Sequence, residues 1–413
     1  MKISRSGVIY KFHLGALALF LFSEVLAAPI GFLVTGLGVP VLQYFPKIIL
    51  SLCFFTAVLS LAKSTSIWQL ATLYCFMLFY SLVGLFYHKD PVRVLFGWWE
   101  WMPFLFGLVY GLHYSALNRD LNSVVILCFC ILLFGLVMDY LFELPFLDVG
   151  FNVLGSEVLL QKEMTTFEIL RHNGFSNSAF LAANSAVCFA AIVVCYRRKI
   201  GVTVPALLAL VLTLTLIKSV ILGSVFLIGG FFLLYRWRGP WNFLVPVSVL
   251  TFGLFVFVAG SVFLSTAESS ETAYFFFRSL GDRTFFTWPL FLDLFESWDR
   301  WIFGFGFGGV GLGAKAAQNA VYYADNFLLY FIGNFGLFGL LLLVFVLCLP
   351  SYSLSEDETL LIRVLLSSLF AVGVAVDMWS DPCYGLFSGI CLGALMRGST
   401  RRLWSASSYS QYS

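Results

Sequence analysis

The chain has 413 residues, of which 60% are hydrophobic and only 11% charged, with a formal net charge of +2. Its mean hydropathy is +0.93. A soluble domain is typically about a quarter charged, so that class is excluded, and a net charge this small gives no footprint for a nucleic-acid partner. Repeated apolar runs of roughly 20 residues read as transmembrane helices, each long enough to cross a hydrocarbon core of about 30 Å.

The spans predicted from hydropathy are 14–36, 44–62, 68–87, 94–113, 121–145, 175–196, 201–217, 219–235, 242–264, 326–349, 360–379 and 383–397. The first run has no small-residue cleavage site and continues to Val34, so no cleavable signal is expected. The polar pair Lys218-Ser219 divides 201–235 into a hairpin instead of one long helix. The expected fold is therefore all-α: a single integral membrane domain over 1–413, a bundle of about twelve helices. Two long loops interrupt it, 146–174 and 265–325, the second large and partly helical. Within it, Thr284–Ser297 spaces its apolar residues like a helix lying along the interface.

Orientation follows from Lys and Arg, which favour the cytoplasmic side. Lys2/Arg5/Lys11, Arg197/Arg198/Lys199, Arg236/Arg238 and Arg397/Arg401/Arg402 all fall on one side if the spans alternate. Both termini are then cytoplasmic and both long loops lie outside. The nine Cys nearly all sit inside apolar runs, without metal-ligand or disulfide-framework spacing. They read as small apolar packers, and neither a metal nor a cofactor is expected.

Charge on the outer side asks for a reason. Arg171, Lys218, Arg278 and Arg283 come from three separate outer segments. A guanidinium beside a phosphate at about 4 Å gains roughly 4 kcal/mol at an effective dielectric near 20, in a bidentate geometry. Snorkelling to lipid headgroups is the competing explanation. Asp325, just before the span at 326–349, is either a helix cap or a partly desolvated general base. Asp282 reads as an ion-pair partner of the two flanking arginines. Glu24 and Glu100 fall mid-span, where an acid is either functional or bonded to a neighbouring helix or Trp N–H. Lys89 and Arg93, flanking Asp90-Pro91, read as structural. Gly304, Gly306, Gly308, Gly309, Gly311 and Gly313 form a ribbon among aromatics whose backbone can approach a ligand closely.

Four stretches carry a resemblance: RHNGFSNSAF at 171–180, TLTLIKSVILG at 213–223, GDRTFFTW with the later FGFGFGGVG, and DNFLLYFIGNFGLFG at 325–339. In order and spacing they resemble the superfamily of O-antigen ligases and Wzy-type polysaccharide polymerases, multi-pass proteins of the bacterial inner membrane. Asp325 stands where ligases typically carry His, which favours the polymerase branch, and Lys218 stands in place of an Arg. The resemblance implies an inverting glycosyltransferase acting at the periplasmic face on undecaprenyl-pyrophosphate-linked oligosaccharides. It implies Asp325, Arg283 and Arg278 as catalytic residues and Arg171, Lys218 and Arg283 as the pyrophosphate clamp. Asn326, Trp288, Gly304, Gly306 and Gly308 would shape the sugar site. The carrier chain would lie among membrane lipid between spans. A flippase and a chain-length regulator are the implied protein partners. The alternatives are a ligase that moves finished glycan to lipid A core or another acceptor, and a transporter of polysaccharide or lipid-linked sugar.

Overall fold

The computed structural model describes residues 5–64, 67–147, 149–153, 156–161, 165–166, 169–236, 246–251, 283, 287–311, 314–315, 326–348, 355–374 and 381–409. Their outer surface carries large apolar side chains such as Leu33, Leu52, Leu78, Phe86, Phe134 and Phe345, as a bundle solvated by lipid would. Among the described residues, six segments are long and apolar enough to cross a membrane: Val8–Val25, Pro40–Leu59, Ala71–His88, Arg119–Leu141, Ala179–Arg197 and Phe327–Cys348.

The first half packs α1 (Arg5–Val25), α2 (Ala27–Gly36), α3 (Phe45–Ser64), α4 (Ile67–His88), α5 (Pro91–His113) and α6 (Arg119–Leu141). The run expected as one span, 14–36, is two helices broken at Leu26, whose backbone leaves the helical region (φ −103°, ψ 25°). Glu24 therefore lies in the last turn of α1, not at mid-span. Asp90 starts α5: its carboxylate accepts from Val92 N at 2.9 Å, with Pro91 at the first helical position, the preferred chemistry of a helix start.

Helix α5 is clamped at the centre. Gly107 and Gly111 face Gly389 and Gly393 of α14 (Pro382–Tyr409). A Cβ on Gly107 would stand 2.1 Å from the Leu386 carbonyl, and one on Gly389 would stand 2.2 Å from the Phe104 carbonyl. Both helices thus carry small residues four apart at the crossing, which lets backbones touch where no hydrophobic effect drives association.

The loop at 146–174 departs from the all-α expectation. It holds two antiparallel pairs, β1 (Gly150–Val153) with β2 (Ser156–Leu159) and β3 (Thr165–Thr166) with β4 (Ile169–Leu170). Its β-branched residues, including Val153, Val158, Thr165, Thr166 and Ile169, suit extended backbone. Next come α7 (Ala179–Arg197), α8 (Thr203–Thr215) and α9 (Ser219–Arg236). The last two form the hairpin that Lys218-Ser219 predicted, turned through a left-handed Leu216 at φ 53°.

Among the described residues, the next helices are α10 (Trp288–Leu292), α11 (Trp298–Phe303), α12 (Phe327–Cys348) and α13 (Glu356–Gly373). The expected interfacial helix over Thr284–Ser297 is, in its described part, the five-residue α10. Trp288, Phe291 and Phe295 are buried in the core, so this stretch turns its aromatic residues to protein, while Leu290 stays exposed. Ser355 and Glu358 form a reciprocal capping box at the start of α13. Ser355→Ala should lower stability by about 1 kcal/mol, read as a shift in the thermal unfolding midpoint of the detergent-solubilised protein.

Candidate functional site

One rim of the bundle gathers the start of α7, the end of α8, the start of α12 and the end of α13. The segment before α7 is held from beneath. Asn173 N and Gly174 N both donate to one oxygen of Asp139 on α6, at 2.7 and 2.9 Å. His172 Nδ1 lies 3.7 Å from the same oxygen. Gln161 Nε2 donates to the Gly174 and Ser176 carbonyls, both at 2.7 Å. Gly174 adopts φ +62° and rests on the backbone of Gly135 and Leu136, an approach that a side chain would block. Arg171 is thereby carried on a fixed support, its guanidinium 5.5 Å from the Phe180 ring centre. Partial burial pulls its pKa below the ordinary arginine value, while a guanidinium stays charged at neutral pH. A charge stripped of part of its water gains more from an anionic ligand.

The Arg171 segment is stitched to the α8–α9 turn. His172 N donates to the Leu214 carbonyl at 3.0 Å. Four residues on from Leu214, Lys218 stands exposed. Ser219 Oγ donates to Asn184 Oδ1 of α7 at 3.2 Å, and both residues are buried. Two of the predicted cation-bearing segments, 47 positions apart (218 − 171), are therefore neighbours. Arg283 is half-buried five residues ahead of Trp288. Arg278 and Asp325 lie outside the described residues, as does Asp282.

The predicted sugar-site residues are engaged otherwise. Asn326 caps α12: its Oδ1 accepts from Leu328 N at 2.9 Å and Leu329 N at 3.3 Å. Its Nδ2 donates to the Val374 carbonyl at 3.3 Å. With 1% of its surface exposed, this side chain ties α12 to α13 and offers a sugar nothing. Trp288 is likewise 1% exposed and has no ring face open for stacking.

The glycine ribbon wedges into the bundle. Phe305 N and Gly306 N donate to the Gly333 and Asn334 carbonyls of α12 at 2.8 and 2.9 Å, and Phe307 N donates to the Tyr80 carbonyl of α4 at 3.1 Å. Arg93 Nε donates to the Gly308 carbonyl at 2.7 Å, so the arginine read as structural holds the ribbon down. Opposite it, α12 breaks at Gly336 (φ 63°, ψ −173°), and Tyr80 Oη donates to the adjacent Phe335 carbonyl at 2.6 Å. The predicted close backbone approach is real, but its object is helix. A Cβ on Gly304 would meet Gly336 N at 2.6 Å, and one on Gly308 would meet the Arg93 carbonyl at 2.3 Å. Gly304, Gly306 and Gly308 are buried against α12, α4 and α5 in turn, so they shape packing and do not line an open sugar pocket.

The far end of the ribbon meets an interior polar group whose members lie on separate helices. Glu100, 5% exposed, stands against Gly311, where an added Cβ would lie 2.2 Å from a carboxylate oxygen and 2.1 Å from Tyr330 Oη. Lys47 of α3 is within electrostatic range of both Glu24 and Glu100, and its Nζ lies 5.1 Å from the Trp99 ring centre. Asp381, at the N-cap of α14, is within electrostatic range of Glu24. Its Oδ1 accepts from Cys383 N at 3.0 Å and Tyr384 N at 3.4 Å, and the Asn184 side chain of α7 stands beside the carboxyl. Acids and an ammonium drawn from α1, α3, α5 and α14 can exchange protons or hold hydroxyl groups. Trp98 of the WWEW run donates to Ser81 Oγ at 2.8 Å.

Sequence reasoning missed Asp139, Gln161, Asn184, Asp381 and Lys47. Asp139, Asp381 and Lys47 stand at the edges of apolar runs, the one signal that could have found them; Gln161 and Asn184 carry none. No family model, no curated protein and no solved structure matches this chain.

Proposed function

We propose that this chain is a polymerase of the bacterial inner membrane. It joins undecaprenyl-pyrophosphate-linked oligosaccharide repeat units into a surface polysaccharide at the periplasmic face. The observation that carries the reading is the stitching of the Arg171 segment to the Lys218 turn at one rim of a lipid-facing bundle. Two cation-bearing segments held together at one rim suit a diphosphate better than a single headgroup phosphate. The resemblance supplies the rest. The acceptor hydroxyl oxygen attacks the anomeric carbon of the donor's first sugar. The bond from that carbon to the diphosphate oxygen breaks, with inversion. The diphosphate leaves on its lipid as an anion held by Arg171, Lys218, Arg278 and Arg283, and the hydroxyl proton passes to Asp325. Pyrophosphate is already a good leaving group, so holding and positioning are most of the catalysis.

A second reading, transport of a lipid-linked sugar, is favoured by the Glu24–Lys47–Glu100 group inside the bundle, since charges within membrane helices commonly mark a transport path. Carrier-linked glycans extracted from a deletion strain separate these readings. Loss of a polymerase leaves single repeat units on the carrier at the periplasmic face. Loss of a ligase leaves long carrier-linked chains. Loss of a transporter leaves single units that a periplasmic glycosidase cannot reach, and this last result would overturn the proposal.

A further inference from the structure

We propose that His172 is a further, proton-dependent contact for the diphosphate: as an imidazolium it donates Nε2–H to a diphosphate oxygen at the rim that carries Arg171 and Lys218. The inference rests on the diphosphate part of the polymerase reading and adds a residue that the resemblance leaves unassigned. The imidazole is oriented by α6. Its Nδ1 faces Asp139 Oδ2 at 3.7 Å, and the Tyr140 ring meets it edge-on, with ring centres 5.3 Å apart. That separation is too long for a hydrogen bond, so Nδ1 is buried and has no hydrogen-bond partner among the described residues. An unpaired ring nitrogen facing a carboxylate is completed by a proton, which turns the approach into a charge-assisted bond. Nε2 lies on the other edge of the ring, away from Asp139. It bonds to nothing among the described residues and is not enclosed, and the side chain keeps 13% of its surface open. A protonated histidine donates from both nitrogens: Nδ1–H goes to Asp139, and Nε2–H is left for a ligand.

The ligand that suits this donor is an anion at the same rim. Arg171 precedes His172 in the chain, and the bond from His172 N to the Leu214 carbonyl ties the residue to the α8–α9 turn that carries Lys218. Among the described residues, the ionisable groups around the ring are Asp139 and Tyr140 from α6, Arg171 on its own segment and Lys218 on that turn. Asp139 is already turned to Nδ1 and to the Asn173 and Gly174 N–H groups, so it does not compete for Nε2–H. A carrier-linked diphosphate is a diester that keeps one ionised oxygen on each phosphoryl group through the neutral range. Its charge is fixed, so a pH dependence of its binding belongs to the protein. A proton on the ring and the negative charges of the ligand attract, and each favours the other's binding. The proton comes from solvent, and no bond between heavy atoms forms or breaks.

The test uses the full-length protein in detergent and symmetrical dimethyl diphosphate, a small diester of the same charge. It is titrated at about pH 8 and about pH 5.5, on either side of the range in which an imidazole ordinarily changes charge. Wild type should bind roughly tenfold more tightly at the acid pH, the scale of one charge-assisted hydrogen bond. His172→Gln should bind alike at both and match wild type at the alkaline one. Asp139→Asn keeps an acceptor for Asn173 N and Gly174 N but no charge facing Nδ1, and should lose most of the acid gain. Wild type that binds the diester at neither pH would remove the diphosphate reading and this inference together. Diester binding without an acid gain, or an acid gain that survives in His172→Gln, would overturn the His172 assignment alone. An equal acid gain for dimethyl phosphate, which carries a single charge, would make the ring a general headgroup contact and overturn the diphosphate assignment. Should His172→Gln unfold, ring-nitrogen NMR of isotope-labelled wild type decides: a histidine that becomes doubly protonated when the diester is added near neutral pH supports the proposal, and no change in any of the 4 histidines refutes it.

Discussion

Gly306→Ala is expected to destabilise the protein by on the order of 4 kcal/mol, adding the strain of a left-handed alanine to that of overpacking. Gly306 adopts φ +74°, and its added Cβ would stand 2.2 Å from Gly84 N and 2.5 Å from the Tyr80 carbonyl. Those are backbone atoms of α4, so no side chain can swing aside. The ribbon would have to lift, taking with it the bonds from Phe305 N, Gly306 N and Phe307 N. Thermal unfolding of the detergent-solubilised variant measures the effect, with Gly38→Asn as a control: Gly38 is also left-handed, at φ +75°, but an added Cβ there meets nothing within 4 Å. A Gly306→Ala midpoint within a degree or two of wild type would mean that the ribbon is not held as described.

The second large effect concerns the support of the rim. On the polymerase proposal, Arg171→Ala should lower polymer synthesis about 100-fold, the scale of removing one charge-stabilising donor. Asp139→Ala should come close to it without touching a ligand. Its carboxylate is the acceptor that fixes Asn173 N and Gly174 N. Losing it leaves two buried donors unpaired and frees the Arg171 segment, and displacement by about 1 Å can cost 100-fold in rate. Asp139→Asn retains a carbonyl oxygen with two lone pairs and should recover most of the activity. Polymer length and amount on gels, at matched membrane levels, report all three. Full activity in Asp139→Ala would show that the segment keeps its place by other means.

Which features could be foreseen depended on the range of the interactions that made them. The α8–α9 hairpin was legible because its signal, Lys218-Ser219 between two apolar runs, is local. The Arg171 and Lys218 segments could be named but not joined, since the bond that joins them spans 42 positions (214 − 172). Asp139 had no local signature beyond a charge near the end of α6. Trp288 was misplaced for a physical reason: an aromatic in a polar-flanked loop looks the same in sequence whether it packs on lipid, on sugar or, as here, in the core. The glycines read as sites where the backbone approaches a ligand. Only the structure shows that what approaches is another glycine-bearing backbone, Gly304 against Gly336 and Gly306 against Gly84.

The break in α12 has a consequence for how the protein is made. Carbonyls at Gly333, Asn334 and Phe335 accept from the ribbon and from Tyr80, and in hydrocarbon an unanswered carbonyl costs several kcal/mol. During insertion from the ribosome, α4 and the ribbon both emerge before α12. The newly inserted α12 is therefore either straight, with its own carbonyls satisfied, or bent and waiting. The bend is stable only once the earlier pieces have closed on it, which makes docking of the ribbon a late, post-insertional event and leaves a nascent chain truncated before α12 without its lock.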